Sequence, residues 1–66
     1  MLLVDRAVAT IEASGGRAEP SVVVDALAAH VGRPYARGAV AQALVAKRIA
    51  YTDGNLLVVV REDPAS

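Results

Sequence analysis

The stretch from residue 19 to residue 61 constrains this chain most, because four predicted elements follow one another there with only short connections. Apolar residues at helical spacing predict one helix over 21–31 and another over 34–47. Two apolar runs then flank Asp53-Gly54-Asn55, whose Asp-Gly and Gly-Asn steps supply the positive φ that a tight hairpin turn requires. With a further helix predicted over 2–13, the elements follow the order α-α-α-β-β, which is an α+β fold.

The first predicted helix depends on a single apolar stripe. Its members recur at spacings of three and four residues and are Leu3 or Val4, Ala7, Val8 and Ile11. Ser14-Gly15-Gly16 follows, and glycine tolerates the left-handed backbone that closes many helices. We interpret this glycine pair as a helix stop and residues 15–19 as a short polar loop, because a phosphate-binding loop would require a lysine and a preceding strand.

The second and third predicted helices each have a proline near the start, where its fixed φ suits the first turn. The buried stripe of the second helix is predicted to be Val24, Leu27, Ala28 and Val31. Gly32 marks the tight turn between the two helices. The buried side of the third helix is predicted to be Ala36, Ala39, Val40, Ala43 and Leu44. Its opposite side carries Arg37, Gly38, Ala41, Gln42, Val45 and Arg48.

The two strands of the hairpin are predicted over 49–51 and 56–60. Apolar and polar residues do not alternate in the second run, Leu-Leu-Val-Val-Val. Either both faces of that strand are covered, or one face is left for a partner. The domain is predicted to cover residues 1–61, and we expect residues 62–66 to form a flexible tail.

Size and composition limit what can hold such a domain together. A chain of 66 residues buries only roughly 60% of the surface that its unfolded form exposes. The chain has no cysteine, which excludes disulfides and thiolate metal sites, and its single histidine, His30, has no carboxylate near it in sequence. We therefore expect no metal and no cofactor. The core is predicted to consist of Ala, Val and Leu, and it could continue across a dimer interface.

Charge is unevenly distributed although the net charge is zero. No Asp or Glu falls between residues 26 and 52, whereas that window contains Arg33, Arg37, Lys47 and Arg48. The sequence has no run near the roughly 18 apolar residues of a membrane span. Asp5 and Arg6 interrupt the apolar start too early for a signal peptide, so we expect a cytoplasmic protein without membrane contact.

Three patterns follow one another along the chain: Val24-x-x-Leu27-Ala28-x-x-Val31-Gly32, then Val40-x-x-x-Leu44, then Ile49-x-Tyr51 before the Asp-Gly-Asn turn. In this order they resemble the winged helix-turn-helix family of DNA-binding domains. The resemblance implies that the third helix enters the major groove and that the hairpin turn is the wing. The residues that would then face DNA are Arg33, Arg37, Gly38, Ala41, Gln42 and Arg48, with Asp53, Gly54 and Asn55 forming the wing.

The side chains at these positions suit that role. Arginine can read guanine and glutamine can read adenine in the major groove. Small residues allow a helix to lie deep in the groove, and Arg33 and Arg48 would contact phosphates, which position a protein without specifying sequence. The resemblance therefore implies a small transcriptional regulator that binds double-stranded DNA. We expect a dimer, because one such module buries little surface.

The same fold also suits a protein-interaction module that does not bind DNA, and this is the alternative prediction. Apolar residues predicted to be exposed would form its contact surface with a second copy or another protein. They are Val22, Val23, Val45 and the 56–60 strand. An enzyme is not expected, because no Ser/His/Asp or Cys/His arrangement and no suitably spaced carboxylate pair is present.

Overall fold

The computed structural model describes residues 2–60, so the predicted tail over 62–66 lies outside the described residues. The elements are α1 (Leu3–Ala13), β1 (Arg17–Ala18), α2 (Pro20–Val31), α3 (Arg33–Val45), β2 (Ile49–Tyr51) and β3 (Leu57–Val59). The predicted α+β architecture, with three helices before a C-terminal hairpin, is confirmed. The described part contains one element more than the sequence predicted, the short strand β1.

Glycine and proline determine where α2 begins and ends. Pro20 occupies the first turn of α2, so the helix starts one residue earlier than predicted. Gly32 separates α2 from α3 with φ 87°, a conformation that disfavours any residue with a Cβ. Its N–H donates to the Ala28 carbonyl at 2.9 Å, and its own carbonyl accepts from the Ala36 N–H at 3.0 Å. A single residue therefore closes one helix and opens the next, as the predicted tight turn requires.

α1 and α3 end with the same pair of backbone hydrogen bonds, known as a Schellman motif. At the end of α1, the Gly16 N–H donates to the Ile11 carbonyl and the Gly15 N–H donates to the Glu12 carbonyl, both at 3.1 Å. Gly15 holds the left-handed position of this motif, with φ 87°. The predicted helix stop at the glycine pair is confirmed.

The corresponding left-handed residue after α3 is not a glycine. The Arg48 N–H donates to the Ala43 carbonyl at 2.9 Å, the Lys47 N–H donates to the Leu44 carbonyl at 3.0 Å, and Lys47 has φ 60°. A residue with a Cβ loses about 1–2 kcal/mol in this conformation. The chain reverses here, so α3 ends at Val45, two residues before the predicted end.

The sheet has the strand order β1-β3-β2, and both pairings are antiparallel. The 15–19 segment, predicted to be only a polar loop, contains β1, in which Arg17 pairs with Val58 and Ala18 pairs with Leu57. β3 is consequently the central strand, with neighbours along both edges. Along β3, Leu57 is buried and Val58 and Val59 are both partly buried, so neither face of the strand is fully exposed.

The predicted hairpin turn is confirmed between β2 and β3. The Thr52 N–H donates to the Leu56 carbonyl at 2.8 Å, which closes the loop. Gly54 and Asn55 supply the positive φ values, 85° and 63°. Asparagine is among the residues that adopt this conformation with little strain.

The core lies between the three helices and one face of the sheet. Its largest fully buried side chains are Ile11, Leu27, Ile49, Leu57 and Val23. The predicted stripes of α1 and α3 both face it, and Leu44 is partly buried. The helices have 11, 12 and 13 residues. None in the described part of the chain is long and apolar enough to cross a membrane.

Two residues predicted to form a contact surface are instead core residues. Val23 is 0% exposed and packs with Leu27, because α2 directs this position of its valine run inward. Leu57 is also 0% exposed, because its strand is central and its side chain points towards the helices. Val22, in contrast, is 47% exposed, as predicted. The contact surface predicted from the sequence therefore loses Val23 and Leu57, whereas Val60 is 40% exposed.

Candidate functional site

The outer side of α3 is fully on the surface. All six residues assigned to DNA contact by the resemblance are exposed, namely Arg33, Arg37, Gly38, Ala41, Gln42 and Arg48. The opposite side packs Ala36, Ala39, Val40 and Ala43 into the core. α3 therefore presents the predicted face outward, because its small apolar residues are the ones that fit closely against α1 and α2.

Helical geometry, with 3.6 residues per turn, orders the side chains across this outer face. Gly38, Ala41 and Val45 occupy its centre, with Arg37 along one edge and Gln42 along the other. No atom lies within 4 Å of the position that a Cβ on Gly38 would take, so the centre of the face is open. The result is a shallow helical surface with an arginine and an amide on its two sides.

Two of the four basic residues in the acid-free window are ion-paired with acids from outside it. Arg33 Nη1 lies 3.0 Å from Asp25 Oδ1 of α2, and Arg48 Nη1 lies 3.1 Å from Asp5 Oδ1 of α1. The side chains in these pairs are between 41% and 61% exposed. Exposed pairs of this kind contribute about 0–1 kcal/mol, so a phosphate that approaches either arginine competes with a weak interaction.

The other two basic residues of the window, Arg37 and Lys47, are exposed and make no ion pair within residues 2–60. Arg37 lies one turn into α3, and Lys47 follows its C-terminal end. These two cations are consequently the ones that are immediately available to an anionic partner.

The wing residues form the tip of the β2–β3 hairpin, where Asp53, Gly54 and Asn55 are all exposed. The tip carries one carboxylate and no cation. A phosphate would be repelled there, so the wing contributes polar groups but no electrostatic attraction.

An apolar groove includes the centre of the outer face of α3, at Gly38, Ala41 and Val45. It has a volume of about 900 Å³ and lies between the first residues of α1 and the side of α3 that bears Tyr35, Gly38, Gln42 and Val45. Leu2 is 73% exposed, Tyr35 is 71% exposed and Val45 is 79% exposed. Only Val45 was identified from the sequence. Leu2 and Tyr35 occupy the starts of helices, where the apolar periodicity gives no inward or outward assignment.

No group of three or more His, Asp or Glu side chains that could hold a metal ion occurs in residues 2–60. Comparisons with protein-family models, with curated proteins and with solved structures find no match to this chain. The chemistry of α3 and its surroundings is therefore the basis for a functional assignment.

Proposed function

We propose that this protein binds double-stranded DNA through the outer face of α3 and acts as a small transcriptional regulator. The observation that carries the proposal is the exposed pair Arg37 and Gln42 on either side of the small residues Gly38 and Ala41. α3 follows the Gly32 turn directly and is the second helix of the α2–turn–α3 motif, which is the position that the resemblance assigns to the groove-reading helix. A cytoplasmic location, as predicted from the sequence, suits this function.

The geometry of the face supports base contact. Arginine can donate two hydrogen bonds to guanine, and glutamine can pair its amide with adenine. The flat centre at Gly38 and Ala41 allows the helix backbone to approach the base edges closely. Gly38 and Ala41 leave room for a base edge next to Arg37, and the larger exposed side chain Val45 lies further along the helix.

Local charge supports phosphate contact despite a net charge of zero. α3 and the turns on either side of it contain no Asp or Glu, and Arg37 and Lys47 make no ion pair within the described part. Arg33 and Arg48 become available when a phosphate replaces their weakly held carboxylates. A single domain offers few such contacts, so we expect useful affinity from two copies on one DNA.

Fluorescence anisotropy on mixed-sequence duplex DNA, at about 50 and 200 mM salt, tests the proposal. We expect binding that weakens steeply with salt. On mixed-sequence DNA Arg37 contacts phosphate, so the Arg37→Gln variant should reduce the salt slope by about 1. Arg6→Gln, which removes an exposed arginine from α1, is the matched control and should leave the slope near that of wild type.

Two results would count against DNA binding through α3. Absence of binding at the lower salt concentration would contradict DNA binding as the function of this protein. Equal effects of Arg37→Gln and Arg6→Gln would show that the attraction comes from general charge and not from the α3 face.

A second candidate function is a protein-interaction module, and the apolar groove favours it. Leu2, Tyr35 and Val45 together expose an apolar surface beside α3. Contiguous exposed apolar surface on a small domain commonly marks a contact with another protein. The groove shares Gly38, Ala41 and Gln42 with the proposed DNA-contact face, whereas Arg37 is outside its lining and Leu2 and Tyr35 are outside the DNA-contact set. Substitutions at Arg37 and at Leu2 or Tyr35 therefore distinguish the two functions.

A further inference from the structure

The two Schellman motifs in this chain provide an internal comparison. Gly15 closes α1 with φ 87°, whereas Lys47 closes α3 with φ 60° through the equivalent pair of hydrogen bonds. Glycine is the residue that meets this requirement without steric strain. The chain thus ends α1 with an unstrained glycine and ends α3 with a lysine in the same left-handed conformation.

Lys47 is also distinguished by its charge environment. It is exposed, it lies in the window without acids, and it makes no ion pair within residues 2–60. Arg48, its neighbour, is held by Asp5 at 3.1 Å. The C-terminal end of α3 therefore presents one cation that no carboxylate of the described chain neutralises.

The position of Lys47 along α3 fits the dimensions of DNA. The eight-residue step from Arg37 to Val45 rises about 12 Å, and Lys47 follows two residues later. The major groove of B-DNA is about 12 Å wide and is bordered by phosphates on both sides. Lys47 therefore lies beyond the end of α3 that is remote from Arg37, where it can reach a phosphate while Arg37 contacts a base edge.

We propose that Lys47 is a phosphate-contacting residue of the DNA interface and that a lysine occupies this strained position in place of glycine because of that contact. The inference depends on the proposed DNA-binding function. Backbone strain that persists in a native structure is a reasonable pointer to function when the residue has an identifiable chemical role. The role here is to hold the far end of α3 against the DNA backbone.

The experiment compares wild type with Lys47→Gly, Lys47→Asn and Lys47→Arg on one mixed-sequence duplex. Glycine and asparagine both tolerate the left-handed backbone and carry no charge, whereas arginine keeps the charge. We expect Lys47→Gly and Lys47→Asn to lower the slope of log affinity against log salt by about 0.9, and Lys47→Arg to restore it. Between about 50 and 200 mM salt, wild type should then lose roughly threefold more affinity than Lys47→Gly.

Thermal unfolding provides an independent measurement. Relief of the strain should raise the Tm of Lys47→Gly by roughly 4–8 °C, as expected for a domain of this size. A Lys47→Gly variant with a higher Tm and weaker DNA binding would support the inference. A lysine with only a structural role would not give higher stability and lower DNA affinity together when it is replaced. Lysine near a helix C-terminus can also stabilise through the helix dipole, and an unchanged or lower Tm would overturn the inference in favour of that role.

The two proposals fail in different ways. Unchanged salt slopes in Lys47→Gly and Lys47→Asn, with DNA binding intact, would overturn the role of Lys47 and leave the proposed function in place. Absence of DNA binding by the wild-type protein would overturn both.

Discussion

The Asp5 carboxylate, in the first turn of α1, lies 3.1 Å from the Arg48 guanidinium at the far end of α3. Asp25 of α2 makes the equivalent contact with Arg33 at the start of α3. Helices packed against α3 thus bring carboxylates to both ends of a segment that contains none of its own. Any anionic partner of α3 has to compete with these two acids.

Removal of the Asp5 charge should therefore tighten DNA binding. In Asp5→Asn the Arg48 side chain is released, and we expect the salt slope to steepen by up to about 0.9 as one more phosphate contact forms. The stability loss should stay below about 1 kcal/mol, because the pair is exposed. Glu19→Gln removes an exposed acid that makes no ion pair in the described part, and it measures the general effect of charge. Equal slopes for the two variants would contradict a specific role for the Asp5–Arg48 pair.

Two glycines should respond in opposite directions to the same substitution. Gly15→Ala forces a Cβ into a backbone with φ 87°, and we expect a loss of about 1–2 kcal/mol in the free energy of unfolding. Gly38→Ala lies within α3, where a Cβ meets no atom within 4 Å, and should gain about 0.5–1 kcal/mol. Urea denaturation of both variants is the measurement. A gain in stability for Gly15→Ala would contradict the left-handed assignment at Gly15, and a loss for Gly38→Ala would contradict the open position described for Gly38.

Neighbouring valines at the start of α2 provide a matched pair for the core. Val23 is 0% exposed, and truncation in Val23→Ala removes two buried carbons and leaves a small cavity. We expect this variant to lose about 2 kcal/mol of stability. Val22→Ala, at a position that is 47% exposed, should change stability by no more than about 0.5 kcal/mol. A similar loss in both variants, measured by chemical denaturation, would mean that α2 is rotated from the orientation described above.

The apolar groove can be tested without addition of charge. Val45 is 79% exposed, so Val45→Gln should leave stability within about 0.5 kcal/mol of wild type. If the protein self-associates through the groove, sedimentation velocity at increasing concentration should show weaker association in this variant than in wild type. Val22→Gln, on α2, is the control for an exposed valine outside the groove lining. Association that is unaffected by Val45→Gln would exclude the groove as the contact surface.

The helices and the hairpin could be predicted because their signals are local. Apolar spacing, Pro20 and Pro34 near helix starts, Gly32 and the Asp53-Gly54-Asn55 turn each depend on a few neighbouring residues. The two-residue strand β1 could not be predicted in this way. Arg17 and Ala18 have no strand pattern of their own, and they form a strand only because residues 57 and 58 pair with them across the fold.

The sequence predicted which residues of the candidate site are exposed, but it did not predict which other side chains lie next to them. Arg37, Gly38, Ala41 and Gln42 follow from the helical wheel of α3, and all are exposed as expected. The pairing of Arg33 and Arg48 with acids from other helices depends on tertiary packing, as does the grouping of Leu2 with Tyr35. The valine run over 22–24 has no helical period, so only the packed structure decides that Val23 faces inward.

The central place of β3 in the sheet has a consequence for the order in which the domain can fold. β1 and β2 do not pair with each other, and both depend on a strand that is last among the described elements. Without residues 57–59 neither β1 nor β2 has a pairing partner, and the core lacks the fully buried side chain of Leu57. We therefore expect the two strand pairings to form together, because both depend on β3.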